Sequence, residues 1–107
     1  DAASLEAAAA RISEISAGGL QLSDSNPVMN TELVEVLRLE GLLKLSAAAV
    51  ASALHRAESR GSHQRSDYLE RDDADHLQHT LVDASGNVSD SSVNQGSGDD
   101  WLLAPPE

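Results

Sequence analysis

Residues 30–61, NTELVEVLRLEGLLKLSAAAVASALHRAESRG, decide the fold. Leu33, Val36, Leu37, Leu43, Ala47, Val50, Ala51 and Leu54 recur at helical steps, which makes one face of a long helix apolar. Asn30 is a good N-cap, and Glu32 and Glu35 lie where the helix dipole favours negative charge. Read as far as Arg60-Gly61, the helix runs for about 30 residues and roughly 45 Å. Gly41 in its middle costs about 1 kcal/mol relative to alanine. Either the helix bends there or a neighbouring backbone comes close.

Upstream, Leu5, Ala8, Ile12 and Ile15 mark a second apolar stripe, and Ala7–Ala10 supply helix propensity. Gly18-Gly19 then stops a helix over 2–17. Ser23-Asp24-Ser25-Asn26-Pro27 is a connector of turn formers. Downstream, Asp72 or Asp73 caps a short third helix through about Gln78. Thr80-Leu81-Val82 is a strand candidate, and Ser85-Gly86-Asn87 a hairpin turn toward Val88. The expected architecture is mainly α, an antiparallel helical bundle of two unequal helices and a short third, with a small β-hairpin. The helical domain covers 1–83. Residues 84–107 are expected to be a flexible, acidic, Ser/Gly-rich tail. Its apolar tip, Trp101-Leu102-Leu103, is either disordered or an anchor onto the domain or a partner.

Fifteen leucines and sixteen alanines make any core small-grained and aliphatic. Two helices of unequal length cannot cover each other, so the longer one needs a third element or another protein surface.

The 107 residues carry 18 Asp+Glu against 7 Lys+Arg, a net charge of −11, which opposes binding to a phosphate backbone. With one Trp, one Tyr and no Phe, the chain also lacks a stacking platform for single strands. The absence of cysteine removes disulfides, thiolate metal sites and a Cys nucleophile. No apolar run approaches the roughly 20 residues of a membrane-spanning helix. The opening DAASLEAAAARISE has no basic n-region of a signal peptide, and the first methionine is Met29, so the chain reads as a piece of something longer.

Four of the seven basic residues, Arg56, Arg60, Arg65 and Arg71, fall in 55–71 beside His55 and His63. Such clustering in an acidic chain points to guanidinium forks docking on carboxylates or carbonyls of another surface. The plainer reading, cations at a helix C-terminus with Arg56 and Arg60 opposing Glu58, is weaker because the dipole's reach ends within a turn. Asp72/His76 and Asp75/His79 have i,i+4 spacing, but no further ligands are placed to complete a metal site, so capping and pairing are preferred. Ser59 with His63 lacks a GxSxG context, and Gly96-Ser97-Gly98 leads into Asp99-Asp100, not a helix. A hydrolase and a dinucleotide site are therefore both rejected.

Asn30-Thr31-Glu32-Leu33, then Glu58-Ser59-Arg60-Gly61-Ser62-His63-Gln64-Arg65-Ser66-Asp67, then Glu70-Arg71-Asp72-Asp73, then His79-Thr80-Leu81 follow in fixed order. In order and spacing, from about residue 2 to 82, this resembles the C-terminal helical domain of the succinate dehydrogenase/fumarate reductase flavoprotein subunit. L-aspartate oxidases share the ESRG-x-H element, but the RDD and HTL segments favour the former. Tyr68-Leu69 stands where that family has proline, and the ending Ala104-Pro105-Pro106-Glu107 departs from the family's basic, aromatic end.

The resemblance implies that FAD and the residues acting on the dicarboxylate lie in upstream flavin-binding and capping domains. No catalytic, cofactor-binding or metal residues are then expected in this chain. Ser59, Arg60, Gly61, His63, Arg65, Asp67, Arg71, Asp72 and His79 would form a docking or structural motif. The implied partners are the flavin-binding domain of the same polypeptide and the iron-sulfur subunit of the parent complex. Nucleic acid and direct membrane insertion are not expected; self-association through the uncovered face is. The implied setting is cytoplasmic, with the parent held at the membrane by partner subunits while it interconverts succinate and fumarate against quinone. An autonomous helical interaction module is the alternative.

Overall fold

A computed structural model describes residues 1–93, which form two helices and a hairpin: α1 (Ala2–Ala17), α2 (Thr31–His55), β1 (Gln78–Val82) and β2 (Val88–Ser92). The expected tip Trp101-Leu102-Leu103 lies outside the described residues. Asp1 caps α1 by accepting the Ser4 amide at 2.8 Å, and the Ser4 hydroxyl closes a capping box. At the other end Gly18 stays right-handed, and Gly19, at φ +72°, takes the left-handed conformation that ends the helix.

The connector is held by side chains from the start of α2. Asn30 accepts the Leu33 amide as N-cap, while its own amide donates to the carbonyls of Asp24 and Asn26. Glu32 accepts the backbone amides of Ser23 and Asp24, which lowers its pKa. The helices run antiparallel: Ser16 and Leu20 at the end of α1 border the same groove as Val36 and Glu40 near the start of α2. Leu5, Ala8, Ile12, Leu33, Val36, Leu43, Val50 and Leu54 are half-buried. Among the described residues no hydrophobic side chain is fully buried. The radius of gyration is 19.0 Å, well above the roughly 13 Å of a compact domain of about 100 residues.

The structure corrects two expectations. First, α2 ends at His55, not at Arg60-Gly61, because Arg56 turns extended (φ −87°, ψ 102°). The last carbonyls of the helix are taken by the Arg65 guanidinium instead of by further helical amides. Second, the third helix from Asp72 is a single turn. Asp72 does accept the amides of Ala74 and Asp75, and His76 N–H reaches Asp72 O. The carbonyls that would propagate the helix, those of His76 and Gln78, receive the Arg56 guanidinium instead. Gly41 lies inside one continuous helix with nothing within 4 Å of a would-be Cβ, so no backbone among the described residues approaches it.

The hairpin forms where the turn chemistry places it. β1 and β2 pair antiparallel, with Val82 opposite Val88 and Gln78 opposite Ser92. Asp83 organises the turn by accepting the amides of Ser85 and Asn87, and Gly86 supplies φ +85°. Residues 88–92, expected within the tail, are thus the second strand.

Candidate functional site

After His55 the chain runs extended, and an extended chain points residues i and i+2 to the same side. Arg56, Glu58 and Arg60 follow that alternation, which puts one carboxylate between two guanidiniums. Glu58 is the only side chain among the described residues with no solvent exposure at all. Its Oε1 accepts Arg56 Nε and Arg60 Nε, each at 2.8 Å; its Oε2 accepts Arg60 Nη2 and the Asp72 amide, each at 2.9 Å. Burial alone would raise its pKa, but the bonds from Arg60, the Asp72 amide and Arg56 outweigh it and hold the carboxyl at about 2. The remaining donors reach outward into the fold: Arg56 to Gln78 O and Thr80 Oγ1 on β1, Arg60 to Asp72 O and the Asp73 carboxylate. Asp73 also receives Arg71, and the two arginines bring its carboxyl to about 2.

A second ion pair ties the two helices together. Arg65, only 3% exposed, forms a fork with Asp67, Nε to Oδ1 and Nη2 to Oδ2, both at 2.7 Å. Its Nη1 reaches Ala53 O at 2.9 Å at the end of α2, and Asp67 Oδ2 accepts the Ala2 amide at 2.9 Å at the start of α1. The cation therefore sits at the negative end of one helix dipole and the anion at the positive end of the other. Arg65 and the Ala2 amide hold Asp67 well below the usual carboxylate range. The Tyr68 ring lies 5.1 Å from the Arg65 guanidinium carbon, a cation–π contact.

The other expected residues shape the loop around these two pairs. Ser59 Oγ donates to Tyr68 O at 2.6 Å and accepts the Arg65 amide at 2.9 Å, so its hydroxyl is engaged in holding the loop. Gly61 (φ +58°) lets Arg60 and His63 exchange backbone bonds at 2.8 and 3.0 Å across a tight turn. His63 Nε2 lies 3.2 Å from Arg56 O. His79, on the exposed side of β1, makes no bond to them but borders the same shallow pocket as Arg56 and Arg60. Glu58, the centre of the arrangement, is not among the expected motif residues. Its pairing with Arg56 and Arg60, the plainer reading set below docking on another surface, is the one the structure contains. The R-x-E-x-R alternation over 56–60 is the signal that favours this pairing, which is buried and not a surface pair.

The acceptors that these guanidiniums reach belong to the chain itself. No buried side-chain polar atom lacks a partner among the described residues, and among them no three His, Asp or Glu side chains are grouped to hold a metal. The N-termini of α1 and α2 are occupied by their own caps, Asp1 and Asn30, and among the described residues the positive-φ glycines 19, 61 and 86 open no helix. The arrangement is a clasp that fixes shape, and its groups are engaged with one another.

The profile of a family described as the fumarate reductase flavoprotein C-terminal domain matches residues 1–97. A succinate dehydrogenase flavoprotein subunit of Rickettsia bellii is 43% identical over 88 residues, covering 78% of this chain and 15% of the relative. The 8-methylmenaquinol:fumarate reductase flavoprotein subunit of Wolinella succinogenes is 46% identical over 68 residues, covering 64% of this chain and 11% of the relative. Among solved structures, the FrdA chain of a mutant E. coli quinol fumarate reductase superposes with a TM-score of 0.80 at 28% identity, over 96% of this chain and 18% of that one. The chain spans about a seventh of the length of such relatives. Profile, relatives and superposition agree: this chain belongs to the succinate dehydrogenase/fumarate reductase flavoprotein family, as its C-terminal domain.

Proposed function

We propose that the chain is a non-catalytic domain that packs through the outer face of α2 onto the flavin-binding part of its own polypeptide. One observation carries this reading. Val34, Leu37, Gly41 and Leu45 follow one another at helical steps along α2, and the three apolar side chains stand in solvent, Leu37 at 59% and Leu45 at 68% exposure. Leu42 beside them is exposed as well. A face this apolar on a helix already packed on its other side is an interaction surface. The clasp of Glu58 and Arg65 fixes the loop that follows the helix, so that the face is presented rigidly. No membrane-spanning helix occurs among the described residues.

In this reading FAD and the dicarboxylate chemistry belong to the upstream part, where FAD accepts or returns the electrons of succinate–fumarate interconversion. Exchange with quinone then runs through an iron-sulfur partner. Supplying this chain in trans to the protein truncated before it provides the test. The wild-type chain should associate, and the Leu37→Glu/Leu45→Glu double variant should bind at least about tenfold more weakly, since docking would bury two unpaired carboxylates. Circular dichroism should show unchanged helix. Equal binding by the double variant would overturn the reading, as would stoichiometric FAD binding or fumarate reduction by the chain alone.

A further inference from the structure

The connector between the helices turns its polar side chains onto its own backbone and leaves its apolar ones outside. Asp24 accepts the Asn26 amide at 2.9 Å and Asn26 accepts the Val28 amide at 3.0 Å, while the Asn30 side chain spans the carbonyls of Asp24 and Asn26. Val28 and Met29, just past Pro27, are left 70% and 95% exposed. Met29 is also the one non-glycine among the described residues with a left-handed backbone, at φ +55°. Glycine or asparagine takes that conformation at less cost. The bonds on either side hold Met29 there, yet its side chain touches nothing that would offset the strain within the described residues. Strain that a fold maintains without internal return points to a function for the strained residue.

We infer that Val28-Met29 is a preformed knob that enters an apolar socket on the flavin-binding part of the same polypeptide. Methionine suits such a socket, because its unbranched, polarizable side chain fills irregular apolar gaps. A backbone fixed beforehand also lowers the ordering cost of docking. The size of the knob says which surface carries the socket. Separate proteins that associate stably bring roughly 20–30 residues a side, and two side chains do not replace them. Against a surface in the same chain, the covalent linkage supplies the effective concentration that so small a contact lacks. The chain spans about a seventh of the length of its relatives, so most of such a polypeptide lies beyond it. The inference rests on the reading that this chain packs on that part, but it uses none of the residues on the outer face of α2.

The test is made in the full-length protein with hydrogen peroxide, which gives one oxygen to a reachable thioether and leaves as water. Met29 is the only methionine of the chain, so mass spectrometry reads its sulfoxide from one peptide. Its oxidation should be at least about fivefold slower in the native protein than in urea, since reactivity follows exposure. A smaller difference would overturn the inference. A diazirine analogue of methionine at position 29 then identifies the cover, and its cross-links should fall in the same polypeptide upstream of Asp1. Cross-links confined to residues 1–107, to a second copy or to another subunit would overturn the inference, as would none. Hydroxyl-radical footprinting of Leu37 and Leu45 in the same protein separates the two readings. Both leucines protected with Met29 reactive would sink the knob alone. Met29 protected and cross-linked upstream with both leucines reactive would uphold the knob and sink the α2 face.

Discussion

Leu45, on the outer face of α2, is 68% exposed, whereas Glu58, three residues past the end of the same helix, has no exposure at all. Hydrophobic burial ordinarily seals the interior and leaves charge outside. Here the helix pair leaves its leucines in water while the loop shuts a carboxylate between guanidiniums. The difference teaches that the two regions are completed by different surfaces. Arg56, Glu58, Arg60, Arg65, Asp67, Arg71 and Asp73 all meet partners of this chain, so the centre of the loop is finished within it. On the proposed packing, the helix pair is finished against another surface, for which its exposed apolar face argues.

The largest effect should come from breaking the finished region at its centre. Glu58→Ala leaves Arg56 and Arg60 facing one another without their carboxylate and strips the Asp72 amide of its acceptor. Removing one partner of a buried ion pair costs about 3–5 kcal/mol. Urea denaturation of the intact protein should show that loss, together with new protease cleavage between residues 56 and 73. A loss no larger than that of an exposed pair such as Arg38–Glu35 would contradict the account of Glu58 as the centre.

Acid should open the same region reversibly. Glu58 and Asp73 are both held at about 2 against ordinary values of 4.5 and 3.8. Depressed carboxylates add stability that is complete above the unfolded values and is lost as pH falls through the folded ones. Between about pH 4.5 and 2 the loop should therefore become exchangeable while α1 keeps its helical signal. Amide hydrogen exchange at Ser59, Arg60 and His63, whose backbone bonds close the loop, reads this directly. Protection that persists unchanged at pH 2 would refute it.

A smaller effect is expected at the joint between the two regions. Arg65→Lys keeps the charge but loses the planar fork on Asp67 and its reach to the carbonyl of Ala53. A loss of about 1–2 kcal/mol should follow, with fraying at the end of α2 and the start of α1. An equal loss spread over the whole of both helices would mean that Arg65 is not specifically their joint.

The sequence made one of these regions far more legible than the other. The period of Leu5, Ala8 and Ile12 and the Gly18-Gly19 stop place α1, and Asn30 places the start of α2, because caps and apolar periods are local signals. The hairpin was legible for the same reason: Asp83, Gly86 and Asn87 build their turn within five residues. The end of α2 was not. Ala57 and Glu58 are good helix formers, and only Arg65, ten residues beyond His55, takes the carbonyls that a continuing helix would need. The turn after Asp72 failed as a helix because Arg56 reaches across twenty residues to His76 O. That arginines of 55–71 bind carboxylates and carbonyls was readable from their number and acidic surroundings. That those acceptors lie in the same chain needed the folded loop.

Gly41 sharpens the comparison most finely, since it lies in the middle of the uncovered stripe. Nothing among the described residues explains a glycine there, because a Cβ would meet open space. In the isolated chain Gly41→Ala should therefore raise helicity and stabilise α2 by up to about 1 kcal/mol, the intrinsic difference between the two residues in a helix interior. In the full-length protein the same methyl would stand between α2 and the surface packed on Val34, Leu37 and Leu45, where a missing side chain lets a backbone come close. The gain should shrink or reverse there, and a denaturation curve for each form separates the cases. If both forms gain equally, no surface approaches α2 at Gly41, and the docking face must be sought elsewhere on the helix pair.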